Sequence, residues 1–166
     1  MGEETEFILQ VLLIGVGATA FGDLWAVAAQ RIFNVAAPDW GLVGRWFGHL
    51  ARGKVRHESI ARSPPVAGER ALGWIGHYAI GIAFAALLVG VWGVEWARSP
   101  SLLPALTVGW LTLAAPFFVM QPAMGGGIAA SRSPSPAKAR LRSLITHTVF
   151  GVGLFVAAVA AASIRS

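Results

Sequence analysis

The chain has no cysteine among its 166 residues, one tyrosine, and charged side chains at only 13%. The missing cysteine excludes a disulfide-held scaffold, iron–sulfur ligation and covalent c-type haem attachment. The shortage of charge excludes more. A soluble domain carries roughly 25% charged residues, and half that allowance cannot coat a domain of this size with water-compatible surface. A nucleic-acid-binding domain and a disordered chain both need more charge than this, so nucleic acid is not an expected partner. Hydrophobic residues make up 55% of the chain and its mean hydropathy is +0.64, which leaves an integral membrane protein. Catalytic signatures are also missing: there is no HExxH, no GxSxG and no P-loop lysine. Gly15-x-Gly17-x-x-Ala20 imitates a dinucleotide fingerprint, but no strand–turn–helix alternation surrounds it, and close helix packing accounts for its glycines. The expectation is a protein without catalytic activity.

What the sequence has in abundance is apolar length. Phe7 to Ala29, Ala71 to Val94, Ser99 to Ser131 and Ser143 to Ile164 are four runs whose only charge is Asp23. A helix needs about 20 mostly apolar residues to cross the hydrocarbon, and lipid gives the backbone no partner except itself. The runs therefore predict an all-α membrane domain over residues 1–166. Four transmembrane helices, near 7–30, 72–94, 101–121 and 143–163, form its bundle. The first run opens on Glu3, Glu4 and Glu6 and lacks the basic start of a cleaved signal, so it reads as a retained helix.

Of the 13 lysines and arginines, only Arg98 and Arg165 lie outside two segments, residues 31–71 and 131–142. Positive-inside bias makes those segments the cytoplasmic loops and puts both termini outside. The first loop has structure of its own. Pro38-Asp39 reads as a helix start, and Trp40, Val43, Trp46, Phe47 and Leu50 recur at helical spacing. A short amphipathic helix on the inner leaflet is expected, with Trp40, Arg45, Trp46 and Phe47 at the membrane surface. Ser131 to Pro136 reads as a polar linker.

Runs two and four share a register. At an offset of 70 residues Arg70 meets Arg140, His77 meets His147 and Gly81 meets Gly151. Two parallel-related hairpins would produce that pattern. Gly73, Gly81 and Gly151 fall on faces where small residues let membrane helices approach closely. The stretches Gly41–His49, Gly68–Gly81, Ala115–Ala130 and Leu141–Gly153 resemble a bacterial family of small multi-pass membrane proteins, catalogued as domain of unknown function 2938. The resemblance implies a bacterial inner-membrane location and carries no activity, cofactor or catalytic residue with it.

Chemistry must then come from the few polar groups inside the runs. Asp23, His77 and His147 sit five to eight residues from the nearest cytoplasmic basic residue, which places them roughly 7–12 Å inward. Ionisable groups at that depth face the bundle interior and find partners. A buried Asp/His/His cluster is expected, with Gln121 or Met124 at its edge. In the third run Pro116 and Pro122 each remove a backbone donor, and the stretch from Met120 to Gly125 reads as a broken inner end. Three readings follow. The two histidines could ligate haem b, or hold a metal ion together with Asp23. Asp23 and the broken third helix could serve a small proton- or ion-coupled transporter. The amphipathic loop and its basic residues could make the protein an accessory subunit that binds lipid, a second copy of itself or a larger membrane complex.

Overall fold

The protein is described by a computed structural model over residues 2–164, all helices and turns with no strand among the described residues. Four stretches are long and apolar enough to cross a membrane: Glu3–Phe33, Glu69–Arg98, Leu102–Met124 and Pro136–Ser163. We label the helices α1 (Glu3–Phe33), α2 (Trp40–Leu50), α3 (Glu69–Arg98), α4 (Leu102–Leu111), α5 (Gln121–Met124) and α6 (Pro136–Ser163). The four long elements stand where the apolar runs put them, but their polar flanks are helical too. Glu3, Glu4 and Glu6 fill the first turn of α1, where carboxylates favour the positive end of the helix dipole. Pro136 opens α6, a position its fixed φ suits, so residues 136–142, read from sequence as part of the second loop, are helical.

Each helix ends or bends for a local reason. Asn34, with φ 54°, closes α1 by donating its N–H to the Ala29 carbonyl, a left-handed cap. α3 is interrupted at Gly93, φ 79° and ψ 168°, and resumes to Arg98. Between α4 and α5 the chain makes a π-helical turn over Ala115–Met120, closed by Gln121 N–H on the Pro116 carbonyl. Pro116 has no N–H to continue an α-helical ladder, and a wider turn absorbs the missing bond. The sequence placed the irregularity at 120–125; it begins a turn earlier, at the first of the two prolines.

The chain divides into two compact units, one of Met1–Ala37, Tyr78–Leu111 and Thr146–Ser166, the other of Pro38–His77 and Thr112–Ile145. In the first unit Ile14, Ala18, Leu88, Val108 and Leu154 are wholly buried. Two close crossings hold it. A Cβ on Gly81 of α3 would overlap the Thr19 hydroxyl of α1, and a Cβ on Gly151 of α6 would lie 3.0 Å from Leu106 Cα of α4. Each of these glycines thus closes its helix on the long element before it, and the offset that pairs them in sequence pairs them in role. Outward, Leu24 is 71% exposed, Leu103 69% and Leu111 63%. So much large apolar surface suits lipid and not water. At one end Arg98 makes a two-bond fork to Glu6, at 2.9 and 2.6 Å, and also reaches Glu95.

The second unit has a smaller core of Trp46, Ile60 and Ala123, with Leu42, Phe47, Met120 and Met124 packed against it. It contains α2, the π-helical turn, α5 and two short 3-10 turns, Ile60–Arg62 and Ile128–Ala130. Gly125 turns the chain at φ +100° where a side chain would collide with the Glu58 carbonyl, so at this point the end of α5 and the first loop touch main chain to main chain.

Candidate functional site

Asp23 and His147 belong to the first unit. The single tyrosine, Tyr78, donates its hydroxyl to Asp23 Oδ2 at 3.0 Å. A phenol that enters an apolar helix needs such an acceptor, and a carboxylate at that depth needs a donor. His147 Nδ1 donates to the Gly109 carbonyl at 3.1 Å, across the close approach where a Cβ on Gly109 would stand 2.6 Å from the His147 carbonyl. One residue on in each helix, Trp110 Nε1 donates to Thr148 Oγ1 at 3.0 Å. The carboxylate and this imidazole are therefore each engaged by a partner that the sequence did not single out.

His77 belongs to the second unit. Its ring stacks on Trp40, centroids 3.8 Å apart, and meets Trp74 edge-on at 5.8 Å. Gly73 lies one turn before it, where a Cβ would collide with the Trp40 carbonyl, so α2 and the start of α3 touch main chain to main chain. Met124 packs on the small core, and Gln121 keeps a buried side-chain oxygen without a hydrogen-bond partner. Among the described residues no group of three or more His, Asp and Glu is arranged to hold a metal ion. The metal reading of Asp23, His77 and His147 is thus not supported by such a group. Tyr78 satisfies the carboxylate, a main-chain carbonyl takes one imidazole, and an indole covers the other.

The most heavily bonded side chain lies instead in the first loop. Arg45 on α2 forks onto Glu69, Nε to Oε2 at 2.8 Å and Nη2 to Oε1 at 2.7 Å. Its Nη1 donates to the carbonyls of Ile60, Ala61 and Ser63 at 3.4, 3.2 and 3.2 Å. Glu69 Oε2 also accepts from Val66 N–H at 2.9 Å. One guanidinium thereby ties α2, the 3-10 turn and the start of α3, using the fork geometry that Arg has and Lys lacks. Hydrogen bonding to Glu69 raises the Arg45 guanidinium above its ordinary value.

Two further bonds complete the frame. Trp46 Nε1 donates to the Val55 carbonyl at 3.0 Å, and His49 Nε2 to the Pro64 carbonyl at 3.0 Å. α2 itself starts as its sequence predicts, with Asp39 Oδ1 accepting from Gly41 N–H at 2.9 Å, an N-cap. Its apolar stripe is used differently from the expectation. Val43 and Trp46 are buried at 6% and 7% exposure, and Phe47 fills the space beside Gly76. Leu50, 39% exposed, remains on the outside.

Sequence reasoning missed Glu69, His49 and Tyr78. The tyrosine had a signal, since one phenol in an uncharged apolar run must find an acceptor. Glu69 had none, because its partner lies 24 positions away across a loop. No curated protein and no solved structure matches the chain. The family model described as "Protein of unknown function (DUF2938)" matches residues 12–161, nearly the whole chain, and the protein belongs to that family.

Proposed function

We propose that the chain is a non-catalytic multi-pass protein of the bacterial inner membrane, with both termini outside, and that its second unit is a binding platform at the cytoplasmic lipid surface. The observation that carries this reading is the Arg45 frame. A segment that merely joins two transmembrane helices needs no order. This one spends a five-bond arginine, a bonded indole and a bonded imidazole on holding its shape. Fixing a residue's backbone costs about 1–2 kcal/mol, and an ordered loop with exposed basic residues suits a surface that must present them in register. Those basic residues sit where anionic headgroups attract them.

The test uses the absence of native cysteine. A nitroxide on a single cysteine replacing Leu50 in the full chain, reconstituted in bilayers, is expected to collide with oxygen from the lipid more than with a water-soluble nickel chelate. A label equally placed at Ala61 is expected to show the reverse. A Leu50 label that sees only water overturns the platform.

A further inference from the structure

The segment that follows α2 folds around a cavity of about 510 Å³ lined by residues 54 and 56–59 and by residues 62–64, among them Lys54, Arg56, His57, Glu58 and Arg62. Its walls are fixed by main-chain bonds. Lys54 N–H returns to the His49 carbonyl at 3.0 Å, His57 N–H reaches the Ala123 carbonyl at 2.8 Å, and Ser63 N–H closes the 3-10 turn on Ile60 at 3.1 Å. The charge on those walls is predominantly positive. Arg45 and Arg98 each hold a carboxylate, whereas Lys54, Arg56 and Arg62 make no ion pair among the described residues. Glu58 alone opposes them on the lining.

His57 adds a more specific feature. It is only 7% exposed. Its Nδ1 lies 2.9 Å from Ser63 Oγ, and that hydroxyl donates its own hydrogen to the Ser59 carbonyl at 3.2 Å. With the hydroxyl hydrogen spent, Oγ accepts and Nδ1 carries the ring proton. Nε2 is then a bare lone pair, and it is buried without a partner. A buried polar atom left unpaired in a native fold requires an explanation, and His57 is one of the residues that line the basic cavity. The ligand that answers both features is an anion that also carries an O–H.

We propose that this cavity is a phosphate site, in which Lys54, Arg56 and Arg62 take the charge of a phosphate group that retains one P–OH, inorganic phosphate or a monoprotonated phosphomonoester, and His57 Nε2 accepts a hydrogen bond from that P–OH. The inference deepens the platform reading and rests on it. Arginine and lysine both suit phosphate oxygens. The volume exceeds a bare phosphate and leaves room for the group that bears it. A phosphodiester or sulfate fits the charge but has no proton for Nε2, so the site should rank these ligands. The same chemistry comes from inorganic phosphate or from the headgroup of phosphatidic acid.

The full chain in neutral maltoside detergent, titrated calorimetrically at pH 7 with inorganic phosphate and then with sulfate, tests the site without any bilayer. Saturable phosphate binding is expected, with sulfate weaker by about tenfold, the value of one charge-assisted hydrogen bond. Lys54→Gln with Arg62→Gln, both exposed positions, should weaken both anions by at least about tenfold. His57→Leu should erase the preference between them. Retained size and unfolding temperature show that each variant is folded. No saturable phosphate binding, equal binding of phosphate and sulfate by the native chain, or phosphate binding unchanged in the double variant overturns the site. Nanodiscs of neutral lipid then give the source. Phosphatidic acid that competes with inorganic phosphate, where phosphatidylglycerol does not, marks the headgroup; phosphate binding that neither lipid displaces marks a soluble ligand. Failed phosphate binding with a lipid-exposed Leu50 label removes the site and leaves the platform. A water-exposed label with intact phosphate binding removes the platform alone.

Discussion

At Gly81 a hydrogen stands where any other residue has a carbon, and a carbon there would overlap the Thr19 hydroxyl. That hydroxyl cannot easily give way, because it donates to the Gly15 carbonyl at 2.7 Å inside a buried crossing. Gly90, on the same helix, has nothing within 4 Å of where a Cβ would stand. The two positions should therefore respond to alanine with opposite signs. Gly81→Ala should destabilise by about 1–3 kcal/mol through overpacking, and Gly90→Ala should stabilise by roughly 0.5–1 kcal/mol through helix propensity. Thermal unfolding in one detergent checks both. His57 gives a second prediction at this scale. Burial, with Lys54 and then His49 adding positive charge, pushes its imidazole below the ordinary 6.5. The unfolded chain therefore takes the proton first, and stability falls as pH drops from about 6.5 toward the lower folded value. His57→Leu should flatten that part of the profile, read as unfolding temperature between pH 7.5 and 5. Of these residues Gly81 was legible, since small residues at four-residue spacing mark a packing face. The lone pair on His57 was not, because it follows from a hydroxyl six positions away that is already committed elsewhere.

Among elements, the four long helices were readable because hydrocarbon dictates both their length and their composition. Their ends were not, because polar flanks such as Pro136–Arg142 are helical by propensity and hydropathy is blind to them. The π-helical turn was half legible: two prolines announce a disturbance, but which of them sets it depends on where the freed carbonyls find donors. The Asp/His/His cluster was read from depth alone. Depth along a helix can be counted from sequence, but the direction a side chain faces depends on packing, and Trp40 and Tyr78 had no common periodicity to reveal their parts. The first loop offers its own prediction. It carries Arg52, Lys54, Arg56 and Arg62, four trypsin sites, in a frame held by Arg45 and Glu69. Native protein should resist cleavage there. Arg45→Met should open the segment and raise the cleavage rate several-fold, because cutting follows the population of the locally open form. Arg45→Lys should fall between the two, since an ammonium keeps the charge but cannot fork onto Glu69 while also reaching three carbonyls. Equal cleavage of all three proteins would mean that the frame is not what orders the loop.

For the whole molecule the sharpest prediction concerns sidedness. On the proposed topology four crossings return the chain to the side on which it began, and positive-inside bias in the two basic loops predicts that this side is outside. Compartment reporters fused at the C-terminal end and within residues 133–137 should give opposite signals. A cytoplasmic C-terminal end would invert the platform and with it the access of its basic residues to the inner leaflet. One contact in the first unit has a consequence in time. Gly17 of α1 is seated against Ala157 of α6, 2.8 Å from where its own side-chain carbon would be. At a translation rate of about 5–20 residues per second, α1 waits on the order of ten seconds in the bilayer before the ribosome delivers its mate. Throughout that interval its glycine notch faces whatever is nearby. The cell must therefore supply a temporary neighbour, lipid or insertase, whose grip is looser than that of α6, or the last helix to be born could not displace it.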